Sequence, residues 1–285
     1  MKLARLGARG EEIPVALTEN GSFDLRPITD DIDGRFLASG GLDRVREELA
    51  AGRLPQVGNV EDLRVGAPLA RPGKVVCIGL NYRDHAVETG AAIPAEPVVF
   101  LKDPRTVIGP YDDVRIPRRS VKTDWEVELA VIIGRPARYL DNEDHAMACV
   151  AGYALSNDVS EREFQLERGG QWDKGKGCDT FGPIGPWLVT KDEITDPHVL
   201  DMWLEVDGKR YQNGSTRTMI FDVPTIVSYI SQFMSLQPGD IISTGTPPGV
   251  GQGQKPQVFL HGGETLHLGI DGLGEQTQHV KAYAA

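Results

Sequence analysis

Apolar residues gather along the chain in short blocks rather than in long periodic stretches. From 74 onward the blocks 74–79, 98–102, 125–133, 150–156, 186–189, 202–206, 241–243 and 265–270 are rich in branched aliphatic residues. Most are bounded by Gly, Pro or Asp, the pattern of buried or half-buried strands. Asp207-Gly208 stands between Leu-Glu-Val and Lys-Arg-Tyr and predicts a tight hairpin, because both turn positions tolerate positive φ. Helical spacing is scarcer. Short helices are predicted around 84–89, 143–148, 161–168 and 223–234, the last with Pro224 in its first turn. Residues 1–70 are weakly patterned, with Pro, Gly and acidic residues scattered through 19–34 and one helical stretch near 42–49. Arg71-Pro72-Gly73 then punctuates the chain, so a small N-terminal accessory domain (1–70) is predicted ahead of a strand-dominated domain (71–285). There is no internal repeat or low-complexity tract.

Composition narrows the class. The 285 residues are 40% hydrophobic and 25% charged, ordinary for a soluble globular chain with room for a sizeable core. A formal charge of -11 and the lack of a basic cluster disfavour a nucleic-acid partner, since phosphate binding needs grouped Lys and Arg. No apolar run approaches the roughly 20 residues of a membrane helix, and the N-terminus lacks a signal-peptide layout. A cytoplasmic protein without a membrane partner is expected. Cys77, Cys149 and Cys178 show no CxxC spacing, which leaves buried, inert thiols as the expectation.

Candidate chemistry lies in four places. Glu126 and Glu128 are spaced by two inside the apolar run 125–133, which puts both on one face of a strand. Two such carboxylates lose hydration and repel each other unless a cation joins them, although the wet face of an edge strand would also accommodate them. Asp158 ends another apolar block and supplies a third hard oxygen, a set suited to Mg²⁺, Mn²⁺ or Ca²⁺ and poorly suited to structural zinc. His85 and Glu88, three apart on one helical turn, form a candidate general base with its orienting carboxylate, or an ordinary surface pair. The Gly-rich stretch 171–186 carries Lys174, Lys176 and Asp179, and a Lys there could stabilise a developing oxyanion or belong to a solvated loop. The segment 243–251 is an anion-binding nest or a plain turn. It lacks the Gly-Lys-Ser/Thr ending of a nucleotide-binding P-loop.

Taken together these pieces resemble the fumarylacetoacetate hydrolase family over residues 72 to about 280. The matching runs are Ile-Gly-Leu-Asn-Tyr-Arg-Asp-His at 78–85, Glu-Val-Glu at 126–128 and Gly-Tyr-Ala-Leu-Ser-Asn-Asp at 152–158. Lys-Gly-Cys-Asp at 176–179 and Thr-Gly-Thr-Pro-Pro-Gly-Val-Gly at 244–251 complete the set. The resemblance implies a β-rich α+β fold, a mixed β-sandwich roll that usually forms a homodimer. It implies Mg²⁺ or Mn²⁺ held by Glu126, Glu128 and Asp158, a water-activating dyad of His85 and Glu88, and Lys176 beside the substrate. Substrate contacts are implied at Tyr82, Arg83, Gln165, Asp179 and Thr246. The stretch 170–188 looks like the branch containing 2,4-diketo-3-deoxy-sugar-acid hydrolases, proteins described as ureidoglycolate lyases, and diene-dioate isomerases.

The expected function is therefore metal-dependent hydrolysis of a carbon–carbon bond in a small 2,4-dioxo acid, giving pyruvate and, from a sugar acid, a hydroxy acid. Decarboxylation of an oxaloacetate-like acid and keto–enol isomerisation are alternatives on the same site. A non-catalytic small-acid-binding protein is the alternative of another class.

Overall fold

The computed structural model describes residues 1–58, 60–90 and 92–284. Its centre is a ten-stranded mixed sheet. In spatial order the main path runs Gly21–Asp24, Ile13–Thr18, Lys2–Leu6, Gly182–Thr190, Val150–Asn157, Val127–Ile133, Ile241–Ser243, Val75–Gly79 and Val98–Lys102. Along this path the pairings are antiparallel except that of Ile241–Ser243 with Val75–Gly79. A five-stranded sheet, in the order Lys209–Ser215, Asp201–Val206, Thr265–Ile270, Gly274–Lys281 and Val114–Arg115, packs across it. The expected β-rich α+β class is the observed one.

Alternation along Val127–Ile133 explains how the layers stack. Val127, Leu129, Val131 and Ile133 point into a core shared with Met202, Leu204, Leu266 and Leu268 of the second sheet. Helix Val223–Ser231 covers part of this core with Ile226, Val227 and Ile230. Ala130 and Ile132 face the other way, into a core built with Val75, Cys77, Leu3, Ala16, Phe36 and Val45. With both faces covered, all seven residues of the strand are buried, and the apolar run from Leu129 to Ile133 follows from that. Glu126 and Glu128 have the parity of Ala130 and Ile132, so carboxylates occupy the start of a face that turns apolar one step later.

The N-terminal segment is built into the same sheet. Lys2 and Leu3 pair with Val189 and Leu188, and Leu3, Ala16, Leu25 and Phe36 share a core with residues of the 71–285 portion. Arg64 reinforces the junction with a salt bridge to Asp112 at 2.5 Å.

Local chemistry accounts for several elements. The Asp207-Gly208 turn has φ of 51° and 76°, closing the hairpin with Val206 opposite Lys209. Asp222 caps the Val223–Ser231 helix by accepting the Thr225 N–H at 3.0 Å, with Pro in the first turn as expected. The segment predicted as a helix at 161–168 is helical over Glu163–Glu167, as a short π-helix. Cys77 and Cys149 are buried as expected, whereas Cys178 is only half-buried. Among the described residues no helix is long and apolar enough to cross a membrane.

Candidate active site

Strand register brings the three acids together. Asn157 lies opposite Val127, the next residue's N–H (Asp158) donates to the Glu126 carbonyl at 2.9 Å, and the Asn157 side chain accepts from the Glu126 N–H at 3.2 Å. Here side chains replace the ladder: the Val127 N–H donates to Gln212 Oε1 at 2.9 Å, which is why the predicted strand 125–133 begins as a ladder only at Val127. Glu126, Glu128 and Asp158 are all buried, and one oxygen from each lies within 4.8 Å of the others.

Buried cations balance this charge. The Lys176 ammonium donates to Glu126 Oε2 and to Asp158 Oδ2, both at 2.7 Å. Lys102 pairs with Asp158 Oδ1 and donates to the Val159 carbonyl at 2.9 Å. The Arg162 guanidinium bridges Glu126 Oε1 at 2.6 Å and Asp124 Oδ2 at 2.8 Å. Burial would raise the Glu126 carboxyl, but Lys176 and Arg162 together hold it well below the usual carboxylate range. Among the described residues no cation forms a salt bridge with Glu128. It accepts from the Ser243 hydroxyl at 2.6 Å and the Gly245 N–H at 2.9 Å, and burial, reinforced by the charges of Asp158 and Glu126, pushes it well above its ordinary value.

The second half of the site is the helix Arg83–Thr89. His85 Nδ1 lies 3.0 Å from Glu88 Oε2, and Glu88 in turn accepts from the Gly249 N–H at 3.0 Å. A hydrogen bond from Nδ1–H to a carboxylate leaves Nε2 as the basic ring nitrogen. A Cβ on Gly253 would come within 2.7 Å of the Glu88 carboxyl carbon, so the 249–253 loop packs directly on the dyad.

Both halves open on one cavity of about 60 Å³, lined on its polar side by His85, Glu126, Glu128, Arg162, Gln165 and Lys176. Gln165 is buried there and accepts from Arg162 at 3.2 Å. Thr246 also lines the cavity, but its hydroxyl donates to the Val127 carbonyl and accepts from Gln212, so it braces the loop.

Three expected substrate contacts lie elsewhere. Tyr82 is fully buried in the core with its hydroxyl on Met202 Sδ at 3.3 Å, because the apolar packing beneath the helix takes its ring inward. Arg83 is exposed on the helix surface and does not line the cavity. Asp179, three residues past Lys176, is exposed and lines a separate, larger pocket with Arg115 and Arg118. Lys174 points away as well, donating to the Arg168 carbonyl.

Residue reasoning missed Lys102, Arg162, Asp124 and Ser243. A lysine closing the apolar block 98–102 was a signal that could have pointed to Lys102.

The donor set fits one hard divalent ion. Three buried carboxylates with no His or Cys among them are oxygen ligands of the kind Mg²⁺ and Mn²⁺ take. Glu128, driven toward protonation by its neighbours, is the acid a cation would relieve most directly.

The sequence profile described as fumarylacetoacetate (FAA) hydrolase, C-terminal, matches residues 74–281. A Burkholderia ambifaria protein, named no further than as a provisional hydrolase, is 57% identical over 283 residues, 99% of each chain. Among solved structures, 2-hydroxyhepta-2,4-diene-1,7-dioate isomerase from Mycobacterium marinum superposes with a TM-score of 0.75 at 32% identity, covering 100% of both chains. Maleylpyruvate hydrolase from Sphingobium sp. SYK-6, in complex with manganese(II) and pyruvate, superposes with a TM-score of 0.82 at 28% identity, again over 100% of both chains. Solved relatives thus include both hydrolases and isomerases. With a profile match spanning most of the chain and relatives similar from end to end, the protein belongs to the fumarylacetoacetate hydrolase family.

Proposed function

We propose that this protein is a metal-dependent hydrolase that cleaves a carbon–carbon bond of a small 2,4-dioxo acid. The observation that carries the reading is that His85, paired with Glu88, lines the same small cavity as Glu126 and Glu128, whose oxygens lie within 4.8 Å of one from Asp158. Glu126, Glu128 and Asp158 would hold Mg²⁺ or Mn²⁺, which when bound supplies Lewis acidity and a template for adjacent carboxylate and 2-oxo oxygens. The manganese and pyruvate found with the Sphingobium hydrolase support that choice.

The chain's own groups account for the rest. His85 Nε2 takes a proton from water as the water oxygen bonds to C4, and Glu88 stabilises the imidazolium that forms. The Gly249 amide keeps Glu88 in place. As the C3–C4 bond breaks, its electron pair moves onto the C3–C2–O unit, where the Lys176 ammonium stabilises the charge. Protonation of C3 by His85 then gives pyruvate, and the C4 fragment leaves as a carboxylic acid. For a 2,4-diketo-3-deoxy sugar acid that fragment is a hydroxy acid such as lactate. In this reading the enzyme works as a cytoplasmic homodimer on a soluble small acid.

A panel of 2,4-dioxo acids, including acylpyruvates and 2,4-diketo-3-deoxy-rhamnonate, incubated with Mg²⁺ and read by mass spectrometry tests this. Two organic fragments are expected. Released CO₂ would indicate decarboxylation, an unchanged mass isomerisation, and oxalate binding without any turnover a non-catalytic role.

A further inference from the structure

The cavity has an apolar side as well as a polar one, made by Ile78, Leu80, Phe100 and Trp172. At about 60 Å³ it is far smaller than the roughly 300–1,000 Å³ of a typical ligand pocket. Trp172 is the bulkiest side chain of that apolar side. Its indole lies on Gly79, where a Cβ would come within 2.5 Å of the ring, and meets Phe100 edge-on with ring centroids 5.2 Å apart. Phe100 in turn has the Lys176 ammonium 5.2 Å from its ring centroid, so indole, phenyl and ammonium form one stack.

This wall is not a free flap. Trp172 begins the short helix Asp173–Lys176, and the Lys176 N–H donates to the Trp172 carbonyl at 3.1 Å. The helix is wedged in place at Gly175, where a Cβ would come within 2.2 Å of the Glu161 carbonyl oxygen and 2.6 Å of Gln165. The residue that positions the ammonium over the polar side therefore also fixes the indole on the apolar side.

We propose that Trp172 is the specificity-determining residue of the site. Resting on the reading above, a 2-oxo acid head occupies the polar side and its substituent must point toward the indole. The space left there admits substituents of about methyl to short hydroxyalkyl size and rejects aromatic or long-chain ones. The substrate class is thus the short-chain 2,4-dioxo acids, with the limit set by one side chain rather than by the carboxylates or the base.

Binding reads this independently of turnover. Pyruvate and phenylpyruvate share the head and differ only in an added phenyl group, and each is titrated calorimetrically into Mg²⁺-loaded protein. Wild type is expected to favour pyruvate by about 10- to 100-fold, the range that steric mismatch in a packed site commands. Trp172→Ala should abolish or reverse that preference, chiefly by gaining affinity for phenylpyruvate. Trp172→Phe, which keeps an aromatic edge against Phe100 and so guards against misfolding of the alanine variant, should fall between. Equal affinities in wild type, or a preference undiminished from wild type in either folded variant, would overturn the inference while leaving the proposed reaction to the mass-spectrometric panel. A wild-type protein that binds neither acid would overturn both.

Discussion

Asp124 and Arg162 form a buried ion pair, with Oδ2 and Nε 2.8 Å apart. The other Asp124 oxygen accepts the Gly251 N–H at 2.6 Å, and Arg162 continues to Glu126 and Gln165. One carboxylate that lines no part of the cavity therefore ties the loop beneath the His85–Glu88 dyad to the acid trio. Asp124→Asn keeps the volume but turns an amide donor toward the guanidinium. Breaking one partner of such a pair costs about 3 kcal/mol or more. The urea midpoint of Asp124→Asn should fall accordingly, and an unchanged midpoint would contradict the pairing.

His85→Ala should lower turnover by about 10²- to 10⁴-fold, the usual contribution of a positioned acid–base group. Its metal content, measured by elemental analysis of the loaded protein, should match wild type. Wild-type turnover in this variant rejects His85 as the base.

Lys176 contacts two of the three acids, yet its expected role is toward the reacting charge. Lys176→Met should retain its divalent ion and lose turnover by about 10²- to 10³-fold, as when an oxyanion donor is removed. Loss of ion binding with turnover otherwise intact at saturating metal would reverse the assignment.

A pH dependence follows from the junction of the N-terminal segment. Burial alone would raise Glu12 and Asp112, but backbone N–H donors, Arg5 and Arg64 at Glu12, and Arg64 with the Gly109 N–H at Asp112, hold each below its ordinary value. Near and below those ordinary values, 4.5 and 3.8, the folded state binds fewer protons than the unfolded chain. Stability supplied by these acids is present at neutral pH and is lost as pH falls. Arg64→Ala should flatten the acid limb of urea midpoints measured from about pH 6 to pH 3. An unaltered slope would show that these acids are not linked to folding through Arg64.

The parts of the molecule that could be read in advance are those where local pattern and final environment agree. Ile241–Ser243 and Thr265–Ile270 match the predicted apolar blocks, and Asp207-Gly208 turns where its backbone preference dictates. Glu126-Val127-Glu128 revealed itself as a charge anomaly in a buried strand. The strands of residues 2–24 were hidden by weak patterning: Lys2 and Arg5 interrupt the first, Pro14 the second, and Gly21, Ser22 and Asp24 make up most of the third. Gly274–Lys281 carries Glu, Gln, Thr, Gln and His within eight residues, and Gln276 and Gln278 are buried only because backbone carbonyls of Leu155, Gly185 and Pro110 receive their amides. Lys102, Asp124 and Arg162 belong to the site through contacts across tens of residues, which no local spacing records. Tyr82 lies away from the cavity for the opposite reason: it sits inside a run that resembles a site motif, while its ring packs into the core.

The most direct test of the account is a calorimetric titration of Mg²⁺, and in parallel Mn²⁺, into metal-free wild type and Glu126→Ala. Wild type should show one site per chain together with a rise in melting temperature, and the variant should lose both. An isotherm and melting shift unchanged by the substitution would contradict the assignment of the trio as the metal ligands, and with it the mechanism built on that assignment.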